Sequence, residues 1–155
     1  MKRDRILPVI TPGWIALMPA GSQYEQAGFP LRTMRAVGLK VPSSSDCLGT
    51  EPESMNPFLG ISELVMRGTF KGGSNVPSEG INALDALRTY PVDSAYASFD
   101  EKQVGTLERG KLADLIVVSA DPTHVDSRNL ANIKVLIAIV AGSVVYEAPA
   151  WSSRH

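Results

Sequence analysis

The stretch VGTLERGKLADLIVVSADP, residues 104–122, decides the fold when read with IKVLIAIVAGSVVYEA, residues 133–148. Both are rich in Val and Ile and broken by glycine, the pattern of short strands joined by tight turns. GTLERG, LADLIVVS and VLIAIVAGSVVY read as strands, and AGSVV reads as a hairpin with a two-residue loop. Lys111 and Asp114, inside GKLAD, are candidates for an ion pair whose role is structural, fixing this turn and its docking.

Upstream the texture changes. INALDALRTYPVDSAYASF predicts a helix around Ala83 to Arg88, which Pro91 ends or kinks, and VDSAYASF predicts a second short helix. FLGISELVMRGTF spaces Leu59, Ile61, Leu64, Val65 and Met66 as a helix would. KGGSNVPSEG is a connection without G-K-[ST], so it is no phosphate loop. FPLRTMRAV predicts a helix over Leu31, Met34, Arg35 and Val37, with Gly38 at its C-terminal cap. LKVPSS and ILPVIT, the latter residues 6–11, predict short strands. The order strand, loop, helix, strand over residues 6–44 favours an α/β architecture with parallel strands. The texture breaks near residues 100–103, and PAWSSRH, residues 149–155, reads as a frayed tail.

The bulk numbers exclude several classes. The chain has 155 residues, 44% hydrophobic and 20% charged, with a formal net charge of −1. That is enough apolar material for a core, and the absence of any long basic run excludes nucleic acid or a membrane surface as partner. No stretch approaches the ~20 apolar residues of a membrane-crossing helix. MKRDR followed by ILPVITPGWIALMPAGS has the outline of a secretory signal, but Pro8, Pro12, Gly13 and Pro19 interrupt its apolar part. The single cysteine, Cys47, allows no internal disulfide and fits a reducing compartment, so a cytoplasmic location is expected.

The carboxylate Asp46 sits in VPSSSDC, at the mouth of the second expected strand. An isolated carboxylate there is ordinarily a turn or cap residue. Its neighbours do not supply a different chemistry. Ser43, Ser44 and Ser45 lack the G-x-S-x-G frame of a nucleophile elbow. Cys47 has no partner histidine and reads as a small buried residue. His124 and His155 are the only histidines, both expected at the surface. Arg67, after the FLGISELVM helix, reads either as a solvated arginine or as one reaching a substrate rim.

Taken together, G-T-L-x-x-G-K-x-A-D-L, the D-P turn and the ending G-x-V-V-Y resemble the C-terminal end of metal-dependent amidohydrolases. With SSSDC, NPFLGI and ALDALRTYPVDSAYASF upstream, the resemblance is to the amidohydrolase 3 or YtcJ-like branch, over roughly residues 6–147. The resemblance implies an α/β fold: the C-terminal part of a TIM-like (β/α)8 barrel in residues 1–101, strands of a small β-sandwich in residues 102–148, and a tail. It implies that Asp46 is the aspartate at the tip of the last barrel strand, a contact to the metal and the acceptor of the proton from the attacking water. It implies hydrolysis of non-peptide C–N bonds in a small-molecule substrate with a divalent metal, zinc, as cofactor. The H-x-H pair and further histidines of that site are missing here, and a hydrolytic zinc takes about three protein ligands. The chain alone is therefore expected to be inactive and to bind no metal stably. Its expected partners are an N-terminal barrel portion or a second copy, joined through exposed apolar surface. The alternative is a non-catalytic stand-alone binding or structural module derived from that family.

Overall fold

A computed structural model describes residues 6–21, 28–46 and 52–152. Residues 1–5, the basic head of the signal-like segment, lie outside the described residues, as do Cys47, Leu48 and His155. Five helices precede the sheet: α1 (Gly13–Leu17), α2 (Leu31–Ala36), α3 (Pro57–Met66), α4 (Ala83–Arg88) and α5 (Val92–Ala97). Their ends follow from local chemistry. Asn56 caps α3 by accepting from the Phe58 amide at 3.0 Å, with Pro57 in the first turn, where its missing N–H costs nothing. Asn82 caps α4 in the same way through the Asp85 amide at 2.8 Å. Gly38, past the end of α2, has φ 78°, the left-handed conformation that ends helices. Pro91 separates α4 from α5, as its missing N–H and fixed φ require.

The tail forms one antiparallel sheet in the order β1 (Leu115–Val118), β2 (Val135–Val140), β3 (Ser143–Glu147). Val140 pairs with Ser143, so Ala141 and Gly142 make the two-residue hairpin loop, both at positive φ, 49° and 80°. GTLERG is not a strand. Gly105 and Gly110 take φ values of 92° and 93°, and turns replace the extended chain between them. The expected strands at residues 6–11 and 39–44 reduce to a single parallel bridge, Ile10 to Ser43. Pro8, Pro12 and Pro42 bring no N–H to extend that ladder.

The core lies under α3. Phe58, Ile61 and Leu64 from this helix pack with Ile10, Ile15, Leu31, Val41, Ile81 and Ala86. The 3-10 helix Ser127–Asn132 crosses back onto α3 and puts Leu130 and Ile133 into the same cluster. Asn56 adds a hydrogen bond to the Ala131 carbonyl at 3.3 Å. In contrast, every residue of β3 is exposed.

The G-T-L-x-x-G-K-x-A-D-L element now has a physical reading. Gly105 lies so close to α5 that an added Cβ would stand 2.7 Å from the Ala95 Cβ and 2.9 Å from the Pro91 carbonyl. The Lys111 ammonium donates to the Glu101 carbonyl at 2.7 Å and to the Thr106 hydroxyl, and faces Glu108 at 3.6 Å. Asp114 accepts from the Ala141 amide at 2.7 Å and so braces the hairpin loop. The two residues do not form a pair with each other: Lys111 folds back on its own turn, and Asp114 reaches forward to the hairpin.

Gly105→Ala combines backbone strain with overpacking. It is expected to lower stability by about 3 kcal/mol, read as an earlier urea midpoint with an unchanged m-value.

Candidate functional site

Asp46 closes a segment held from both sides. On one side the Ile10 amide donates to the Pro42 carbonyl at 3.0 Å, and the Ser44 amide donates to the Ile10 carbonyl at 2.8 Å. On the other, the Ser43 amide donates to the Thr89 carbonyl at 3.1 Å, and the Ser43 and Thr89 hydroxyls bond at 2.8 Å. Below them Asp93, 3% exposed, accepts from the Val41 amide at 3.1 Å and from Arg35 Nη1 at 2.8 Å. A buried carboxylate is tolerated only with such partners, because leaving it unpaired costs several kcal/mol. The Ser54 hydroxyl then donates to the Ser45 carbonyl at 3.1 Å and fixes the last step before the aspartate.

Asp46 itself is exposed and has φ 45°, a conformation that aspartate tolerates better than most residues. Its Oδ2 accepts from the Trp14 indole Nε1 at 3.2 Å. Trp14 stands in α1, immediately after the chain leaves the Ile10 bridge. Neither Trp14 nor Asp93 carries a sequence signal of this role. An aromatic residue and a helix first-turn acid have too many ordinary uses.

The other sequence candidates fall elsewhere. Arg67 is neither solvated nor at a rim. It is fully buried, ends α3 at φ 57°, and donates to the carbonyls of Asn75 at 2.8 Å, Gly28 at 2.7 Å and Phe29 at 3.3 Å. His124 is at the surface, its Nδ1 2.8 Å from the Asp121 carboxylate. A groove of about 520 Å³ is lined by Arg32, Arg35, Ala36, Ile81, Asn82 and Asp85. Its arginines are already engaged, Arg32 with the Gly80 carbonyl and Arg35 with Asp85 and Asp93.

Among the described residues no group of three or more His, Cys, Asp or Glu side chains is gathered closely enough to hold a metal ion. Asp46 offers oxygen donors of the kind divalent ions accept, but a single carboxylate does not make a hydrolytic site. The residues present thus do not fit a resident metal by themselves. No helix among the described residues is long and apolar enough to cross a membrane.

Asp46 thus stands exposed just past the parallel bridge of Ile10 and Ser43, and helices and a small antiparallel sheet follow it in the chain. The Amidohydrolase family model matches residues 4–146, and the chain belongs to that family. It is 33% identical over 121 residues to N-substituted formamide deformylase of Arthrobacter pascens, covering 77% of this chain and 21% of that protein. It is 28% identical over 130 residues to YtcJ of Bacillus subtilis, a protein named as an amidohydrolase, covering 82% of this chain and 24% of the relative. A 5-methylthioadenosine/S-adenosylhomocysteine deaminase of Thermoanaerobacter pseudethanolicus is 27% identical over 125 residues, 80% of this chain and 26% of that protein. Among solved structures, an amidohydrolase from Thermotoga maritima superposes with a TM-score of 0.64 at 17% identity, over 94% of this chain and 33% of the other. The chain spans about a quarter of the length of the curated relatives it matches.

One ionisable group sits apart from the rim. Glu63, on α3, is 6% exposed, and its Oε2 has no hydrogen-bond partner. Desolvation pushes its pKa up to about 7 from the ordinary 4.5. Burial likewise raises the Tyr90 phenol, with the Glu63 charge adding to it. The Tyr90 hydroxyl lies over Gly60, where an added Cβ would stand only 1.9 Å from it.

Because the folded pKa of Glu63 lies above the unfolded one, the native state holds the proton more tightly. Its favourable contribution is complete below pH 4.5, falls as pH rises from 4.5 towards 7, and is gone above that. Glu63→Gln removes this loss. The variant is expected to be more stable than the parent by on the order of 2 kcal/mol at pH 8, with the gap closing below pH 5, as read by urea unfolding across pH.

Proposed function

We propose that this chain is the C-terminal portion of a metal-dependent amidohydrolase that cleaves non-peptide C–N bonds of a small-molecule substrate, and that it is inactive alone. The observation that carries this reading is the family match over residues 4–146, which contains Asp46 at the exposed end of its braced segment. In this reading residues 1–101 are the last strand–helix units of a barrel, and residues 102–148 supply strands of a small β-sandwich. A complete barrel of this type takes about 250 residues, which agrees with the small fraction of its relatives that this chain spans.

Asp46 is the proton acceptor for the attacking water and delivers that proton to the departing nitrogen, so that one carboxylate serves both halves of the hydrolysis. In the complete enzyme Asp46 would also be one ligand of a divalent metal, zinc, with the other ligands supplied from outside these residues. When bound, such an ion supplies Lewis acidity that brings the pKa of water towards neutrality. Relatives named as an N-substituted formamide deformylase and as a 5-methylthioadenosine/S-adenosylhomocysteine deaminase support C–N cleavage as the reaction class. The lone cysteine supports a cytoplasmic location.

In this reading an N-terminal barrel portion docks on exposed apolar side chains. Val144, Val145 and Tyr146 on β3 are 60%, 61% and 48% exposed, and Ile6 and Val9 are open beside the Ile10 bridge. The occupant of these surfaces is the N-terminal part of the barrel, or a second copy of this chain where that part is absent. The lack of a metal-binding group among the described residues favours a second reading, a non-catalytic module that keeps the fold only.

Two measurements separate these readings. In the enzyme encoded by the complete reading frame, Asp46→Asn is expected to lower kcat on an N-substituted formamide by roughly 10²–10⁴-fold with the metal retained. The isolated 155-residue chain is expected to show no turnover and less than stoichiometric zinc by elemental analysis. Stoichiometric zinc with turnover in that chain would overturn its proposed inactivity. A reading frame that starts cleanly at Met1 and yields no hydrolase would favour the module.

A further inference from the structure

We propose that Trp14 is a positioning residue for the Asp46 carboxylate, its indole N–H holding one carboxylate oxygen so that the group faces the reacting water in a single orientation. The inference rests on the reading of Asp46 as the proton acceptor.

Three observations carry it. The first is the bond itself, Nε1 to Oδ2 at 3.2 Å between residues 32 positions apart in the chain. The second is how the two residues come to meet. Ile10 and Ser43 form the parallel bridge, and four residues beyond the first and three beyond the second stand Trp14 and Asp46, at the same end of the paired segments. Main-chain hydrogen bonds at 3.0 and 2.8 Å fix that register, so the indole and the carboxylate are brought together by backbone and not by loose side chains. The third is that Trp14 does not serve as core. Its neighbours Ile15 and Ala16 are 0% and 4% exposed and anchor α1, whereas Trp14 is 40% exposed. A large ring left open at a rim, with its one polar atom directed at a carboxylate, is placed for that contact.

The chemistry is specific to an indole. It donates and never accepts, so its one polar atom meets a carboxylate oxygen in one sense only. A rigid ring with two side-chain torsions also restrains the aspartate at small entropic cost. Misplacement of a reacting group by about 1 Å can cost on the order of 10² in rate, so a bond of this kind affects kcat and leaves substrate affinity nearly unchanged.

The test has two parts. In the 155-residue chain, labelled with ¹⁵N, the two tryptophans give two indole N–H resonances. Asp46→Asn is expected to move the Trp14 resonance and leave that of Trp151 in place; a Trp14 resonance that does not respond overturns the proposal. In the enzyme from the complete reading frame, Trp14→Phe is expected to lower kcat roughly tenfold with KM within twofold and metal content unchanged, and Trp14→His, which restores a ring N–H, to recover part of the loss. If Asp46→Asn abolishes turnover while Trp14→Phe retains parental kcat, the positioning role is wrong and the base assignment stands. If Asp46→Asn retains parental turnover, the base assignment is wrong and the positioning role falls with it.

Discussion

The Asp93 carboxylate is the interaction on which the remaining arrangement depends. It is buried, and it binds the Val41 amide and the Arg35 guanidinium together, so one charged group ties α5 to α2 and to the segment that ends in Asp46. A carboxylate in this position makes a specific structure because its alternatives are expensive. Any packing that moves α5 away from residue 41 leaves an unpaired charge in a dry place. Thr89, one turn before, repeats the logic with neutral groups, bonding Ser43 on one side and the Ala86 carbonyl on the other. The exposed end at Asp46 therefore stands on a hydrogen-bonded base.

A second brace connects the tail to the helices. Leu130 and Ile133 enter the cluster formed by α3, while Gly105 lies against α5 with no room for a side chain. The sheet itself contributes little to that core, since β3 is open throughout and β2 is only partly covered. The tail is thus held by its turns and its 3-10 helix more than by its strands. Most of the segment's recognisable pattern falls on those turns, with Val144, Val145 and Tyr146 of β3 completing it.

The sequence was legible where one residue type has one physical use. Pro91 announces a break and Ala141–Gly142 between Val-rich runs a two-residue hairpin, and both stand in the structure. It was misleading where apolar composition was taken for strand. ILPVIT and LKVPSS carry the right residues, but their prolines leave only the Ile10–Ser43 bridge. It was silent where a role depends on a distant partner. Arg67 reads as a solvated cation until the carbonyls of residues 28, 29 and 75 close around it, and nothing near Trp14 announces Asp46. The motif carried the family; the rim was visible only as a lone aspartate.

The distance along the chain between the two halves of the central brace bears on biosynthesis. The Ser43–Thr89 and Val41–Asp93 bonds join residues 46 and 52 positions apart, with the acceptors later in the sequence. During translation, residues 41–46 leave the ribosome well before the groups that hold them. Until α4 and α5 emerge, the bonds to Thr89 and Asp93 cannot form, and residues 41–46 lack those partners. Truncation between residues 46 and 89 would release a polypeptide without this brace, a natural target for chaperones and proteolytic clearance.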